Sequence, residues 1–172
     1  MNSLVSELRR APGTLLSVNR VASLKRILVA DDDAMVRAAL AGVLEFEGYL
    51  VDEAHNGIEA VTRAIEHPPD LVLLDLNMPH WDGWKAFSRL DRVKPLLPVI
   101  VITARPNQYE EAVRLGVDAF MEKPLNIPVL LRAIKHLVSE APERRVARVT
   151  NRSFVTRLLE SRPDPHESPD SF

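Results

Sequence analysis

The chain contains no cysteine, which excludes disulfides, thiolate zinc sites and cysteine nucleophiles. Its five histidines (His55, His67, His80, His136 and His166) are scattered, with no pair at metal-ligand spacing. No apolar stretch approaches the roughly 18 residues of a membrane-spanning helix, and the N-terminus lacks the continuous apolar segment of a signal peptide. A cytoplasmic protein is therefore expected. A large charge of one sign is also missing: the formal net charge is −2 over 172 residues.

The charge is unevenly spread. Residues 25–141 hold 13 Lys+Arg against 18 Asp+Glu, a net of −5, whereas residues 1–24 give 3 − 1 = +2 and residues 142–172 give 6 − 5 = +1. An acidic core argues against nucleic-acid binding by that core. The length allows one domain of about 100–150 residues with tails. We divide the chain into an N-terminal extension (1–24), one domain (25–141) and a C-terminal segment (142–172).

Within the domain, short apolar runs alternate with helical patterns, the signature of an α/β fold with a parallel sheet. Strands are predicted at 26–30, 49–53, 70–75, 99–103 and 119–122. The first helix places Val36, Leu40, Val43 and Leu44 on one face and stops at Gly48. Asn56-Gly57 opens the second helix, and the third runs around 84–90. Pro106 suits the first turn of the fourth, which Gly116 closes, and the fifth spans about 127–140. The expected architecture is a doubly wound, flavodoxin-like (βα)5 domain with a five-stranded parallel sheet in the order 2-1-3-4-5. Residues 143–162 read as a short helix carrying Arg144, Arg145, Arg148, Arg152, Arg157 and Arg162. Residues 163–172, with three prolines and three acids, are expected to be disordered.

The strand ends carry the chemistry. Asp75 closes the apolar run Leu71-Val72-Leu73-Leu74, and a carboxylate at the end of a buried strand is costly without a purpose. Asp31-Asp32-Asp33 closes the first strand, Thr103 the fourth, and Lys123-Pro124 the fifth. Ligands of an open parallel sheet bind at the carboxyl ends of its strands, so these groups converge on one site. Two carboxylates about 4 Å apart repel by roughly 4 kcal/mol at an effective dielectric near 20. Lys123 alone does not balance three of them. A hard divalent cation with oxygen ligands, most simply Mg²⁺, resolves the deficit, and a carboxylate beside it can attack a phosphoryl group.

With these residues assembled, the chain resembles the receiver domain of two-component response regulators, the CheY-like family, over roughly residues 25–140. The matching segments are Ile27-Leu28-Val29-Ala30-Asp31-Asp32-Asp33, Leu73-Leu74-Asp75-Leu76-Asn77-Met78-Pro79 with Asp82-Gly83, Ile102-Thr103-Ala104 and Phe120-Met121-Glu122-Lys123-Pro124. The resemblance implies that Asp75 is phosphorylated by a histidine kinase or phosphotransfer protein. It implies Mg²⁺ held by Asp31, Asp32, Asp75 and the backbone carbonyl of Asn77, with Lys123 and Thr103 on the phosphoryl oxygens. Phe120 falls at the family's switch aromatic, turning inward as Thr103 moves toward the phosphate. Asn77 and Arg105 stand where the family tunes phosphate lifetime, and the Lys123-Pro124 bond is expected to be cis. Such a protein is no enzyme beyond Mg²⁺-dependent self-phosphorylation from a phosphodonor and slow autodephosphorylation.

Asp33 reads as a helix cap instead of a ligand. Trp81 and Trp84 are expected to cover apolar surface beside the site, with His80 in exposed loop. The expected output is a stand-alone receiver that presents its fourth helix, fifth strand and fifth helix to a downstream protein or a second copy. Two alternatives stand beside it. One is a transcription regulator whose arginine-rich tail contacts DNA, although base readout needs a helix held by a supporting fold. The other is a haloacid-dehalogenase-type phosphatase with Asp31 as nucleophile, against which stands Met35 where that motif has Thr or Val.

Overall fold

Every residue of Leu71–Asp75 and of Val99–Thr103 is buried, as expected of central strands in a parallel sheet covered on both faces. The computed structural model describes residues 24–79, 81–150 and 155–160. Residues 1–23 of the N-terminal extension, His80 and the 163–172 tail lie outside the described residues. The order of elements is β1 (Arg26–Ala30), α1 (Ala34–Phe46), β2 (Leu50–Ala54), α2 (Gly57–Glu66), β3 (Leu71–Asp75), α3 (Gly83–Val93), β4 (Val99–Thr103), α4 (Tyr109–Leu115), β5 (Ala119–Glu122), α5 (Ile127–Ser139), α6 (Pro142–Thr150) and β6 (Arg157–Leu159).

Side chains alternate along each strand and divide between two cores. Leu28, Val72, Leu74, Val101 and Phe120 join Ala60, Ala86, Leu90 and Ala112 on the α2–α3–α4 side. Ile27, Leu71, Leu73, Ile100 and Met121 join Leu40, Leu44, Leu130 and Ile134 on the α1–α5 side. Helix starts follow local chemistry. Asp33 caps α1 through the Met35 amide at 2.8 Å, Asn56 caps α2 through Glu59 at 2.9 Å, and Asn126 caps α5 through Val129 at 3.3 Å. Each side-chain oxygen satisfies an amide that the helix itself leaves without a partner. Gly116, at φ 76°, closes α4.

The sheet order is β2-β1-β3-β4-β5-β6, so the expected 2-1-3-4-5 core carries one strand more. The arginine-rich segment is not a helix to residue 162. Helix α6 ends at Thr150, and residues 157–159 pair in parallel with β5 in the register Ala119↔Arg157, Phe120↔Leu158 and Met121↔Leu159. The open edge of β5 supplies amides and carbonyls that a lone segment elsewhere in the chain can satisfy. Pro106 also falls outside α4. Asn107 adopts φ 57°, in the left-handed region that Asn tolerates, and the helix begins only at Tyr109.

Candidate functional site

The carboxyl ends of β1, β3, β4 and β5 bring Asp31, Asp75, Thr103 and Lys123 together. Asp31 and Asp75 are each 3% exposed and Thr103 is fully buried, whereas Asp32 faces solvent. One carboxylate oxygen from each of Asp31, Asp32 and Asp75 falls within 4.8 Å of the others. Lys123 Nζ donates to Asp31 Oδ2 at 2.8 Å and to Asp75 Oδ2 at 3.2 Å. The backbone holds the lysine in register, since its amide bonds the Thr103 carbonyl at 2.8 Å. The Lys123-Pro124 peptide is cis.

Asp31 is anchored from several sides. Its Oδ1 accepts the Asp33 amide at 2.9 Å, and its carbonyl accepts Arg37 Nη1 at 2.8 Å. Asp75 Oδ1, by contrast, is buried and has no hydrogen-bond partner. Burial pushes the Asp75 carboxyl above its ordinary pKa; Lys123 and the Asn77 amide oppose this, and the Asp31 charge adds to it. Burial would lower the Lys123 pKa, but the hydrogen bond to Asp31 and the two carboxylate charges raise it on balance. A buried oxygen lacking a partner beside two more carboxylates fits a hard cation with oxygen ligands.

Thr103 Oγ1 accepts the Arg105 amide at 3.0 Å, so its hydroxyl is engaged by the following loop. The Arg105 guanidinium lies 3.4 Å from Asp82 Oδ1 and 3.4 Å from Asn77 Oδ1, which spans the loops after β3 and β4. Asn77 itself is exposed. Phe120 is fully buried, with the Tyr109 ring 5.9 Å away at 55°. Trp84 is half-buried, donates to Gln108 at 2.9 Å and meets Phe87 edge-on at 6.4 Å. Asp33 is spent on its cap.

Three residues take structural roles that no local pattern assigns, although Asp82-Gly83 is among the matching segments. Gly83 starts α3 against the end of β3, and a Cβ there would lie 2.4 Å from the Asp75 carbonyl oxygen. Only glycine allows that approach. Arg145 of α6 forms a bidentate ion pair with Asp118, with Nη2 2.9 Å from Oδ2, and also donates to the Leu96 carbonyl at 3.0 Å. Tyr109 donates its hydroxyl to the Thr156 carbonyl at 3.0 Å. A spacing of 27 or 47 residues between partners leaves nothing to read in a local pattern.

A family model described as the response regulator receiver domain matches residues 27–135. The transcriptional regulatory protein PdtaR of Mycobacterium tuberculosis is 39% identical over 144 residues, spanning 79% of this chain and 70% of that protein. Response regulator MprA of Mycobacterium ulcerans is 38% identical over 115 residues, 66% of this chain and 50% of that protein. The fold is similar to that of a CheY-like receiver domain protein from Methanospirillum hungatei, with a TM-score of 0.65 and 28% identity over 72% of this chain and 98% of the other. It is also similar to the response regulator protein TrrA of Thermotoga maritima in complex with Mg²⁺-BeF. There the TM-score is 0.63 with 32% identity, over 66% of this chain and 99% of the other.

Proposed function

This chain belongs to the response regulator receiver family, and we propose that it is a phosphorylation-controlled protein-interaction module with Asp75 as phosphoacceptor. The observation that carries this reading is the Asp75 carboxylate, buried, raised in pKa, and with one oxygen left without a partner. The donor would be a phosphohistidine of a histidine kinase or phosphotransfer protein. An Asp75 oxygen forms the new P–O bond, the P–N bond breaks, and the imidazole leaves with that electron pair and takes up a proton. Asp31, Asp32, Asp75 and the Asn77 carbonyl would hold Mg²⁺. When bound, the ion supplies charge neutralisation for carboxylates and phosphoryl oxygens alike.

The protein's own residues do the rest. Poor solvation keeps the Asp75 oxygen basic. Lys123, already between Asp31 and Asp75, is placed to pair with a phosphoryl oxygen. Thr103 would exchange the Arg105 amide for the phosphoryl group, a movement that favours Phe120 in its inward position. Arg105, held between Asp82 and Asn77, would cover the acyl phosphate and slow attack by water. Such a switch works as a two-state element biased by local charge.

A second reading, a regulator that contacts DNA, draws on the name of the PdtaR relative and on the arginines of α6. Arg145 is withdrawn from that role by its buried pair with Asp118. Among the described residues no helix is long and apolar enough to cross a membrane. Incubation with a small phosphodonor and Mg²⁺, followed by peptide mapping, tests the proposal: one phosphoryl group is expected on Asp75 and none on Asp31. Modification of Asp31 instead would favour the phosphatase alternative. DNA binding that falls steeply with salt and is lost on removing residues 143–172 would favour the regulator.

A further inference from the structure

In a five-stranded sheet of this order β5 is an edge strand, and Phe120 has solvent on one side. Here β6 makes it an interior residue. Phe120 lies between Val101 of β4 and Leu158 of β6 in register, beneath the Tyr109 ring. The segment that provides β6 is held at several points. The Arg157 amide bonds the Asp118 carbonyl at 3.1 Å, and the Thr156 carbonyl accepts the Tyr109 hydroxyl. Thr156 Oγ1 reaches the Ala112 carbonyl at 3.4 Å. Leu159, 4% exposed, enters the core that α5 shares. An outward Phe120 ring would meet the half-exposed Leu158 beside it in register and the Tyr109–Thr156 hydrogen bond. Phe120 is buried while Thr103 remains bonded to the Arg105 amide, so the ring's position does not simply follow the threonine.

We propose that residues 155–160 are an internal occupant of the β5 edge that latches Phe120 inward, so that docking of this segment and loading of Asp75 reinforce each other. The latch rests on the reading of Asp75 as phosphoacceptor. It also means that a partner seeking the α4–β5–α5 surface competes with this segment for one strand edge. The coupling is reciprocal: whatever loading does for docking, docking does for loading by the same factor.

Hydrogen exchange of the 172-residue chain, with and without Mg²⁺ and beryllofluoride as a phosphoryl stand-in, reads the latch directly. Amides of residues 157–159 are expected to exchange at least about fivefold more slowly when loaded. Leu159→Asp, which undocks the strand, is expected to weaken beryllofluoride affinity by a similar factor, read from Trp81 and Trp84 fluorescence. Tyr109→Phe removes only the hydroxyl bond to Thr156 and should weaken it less, in the same direction, which covers the case of a poorly folded Leu159→Asp. Unchanged or faster exchange in a chain that labels on Asp75, or unchanged affinity in both variants, overturns the latch and leaves the phosphoacceptor reading standing. Failure of Asp75 to label removes both. A dimer that Leu159→Asp dissociates would assign the strand to a second copy and overturn the intramolecular form.

Discussion

Lys123 and Asp31, 92 residues apart, meet at 2.8 Å, closer than Lys123 comes to Asp75 at 3.2 Å. The lysine thus serves as resident counter-ion to both buried carboxylates. Replacing it with Met leaves two negative charges facing each other, at a cost of up to about 3–5 kcal/mol at neutral pH. Chemical denaturation should show that loss, and Mg²⁺ should restore part of it through binding to the folded state. Full stability in Lys123→Met without added cation would contradict this electrostatic account.

Asp75 has a folded-state pKa above its ordinary value, caused first by burial. A raised carboxyl pKa means that the folded state binds the proton more tightly than the unfolded one does. The ionised group therefore costs stability at neutral pH, and the cost fades as pH falls through the raised pKa toward the ordinary carboxyl value. Asp75→Asn should accordingly be more stable than the parent at pH 7, with the difference shrinking in acid. Melting temperatures of the two proteins across pH measure it. A gap that widens on acidification would reverse the sign and refute the assignment.

Arg105 reaches Asp82 and Asn77 across the mouth of the site. Truncation to Ala should shorten the lifetime of phosphorylated Asp75 several-fold, followed as loss of acid-labile label after the donor is removed. A lifetime equal to or longer than the parent's would reduce Arg105 to a surface ion pair with Asp82, of the kind that contributes only about 0–1 kcal/mol.

Arg145 pairs with Asp118 in the interior, where Asp118 also accepts the Val99 amide at 2.8 Å. Arg145→Ala strips the guanidinium from a buried carboxylate and should destabilise the domain by about 3–5 kcal/mol. The double variant Arg145→Met with Asp118→Asn should recover much of that, since no buried charge is then left uncompensated. Denaturant titrations of the parent and the two variants decide it, and a double variant no more stable than Arg145→Ala would rule out the pairing as the cause.

The sequence by itself determined the five β/α units, the helix cap at Asp33 and the helix start at Asn56-Gly57. It also determined the gathering of Asp31, Asp75, Thr103 and Lys123 at one end of the sheet. Those features follow from short-range chemistry: apolar runs of strand length, capping oxygens ahead of helices, and the rule that a parallel sheet delivers its strand ends to one side. Only the tertiary structure decided the rest. A three-residue strand such as β6 has no periodicity of its own, and its stability comes from the edge of β5 nearly 40 residues away. Arg145 reads as one basic residue among six until Asp118 draws it inside. Gly83 shows its necessity only once the carbonyl of Asp75 stands where its side chain would be. Local signals place groups along the chain, but burial and counter-charge are supplied by residues that only folding brings near.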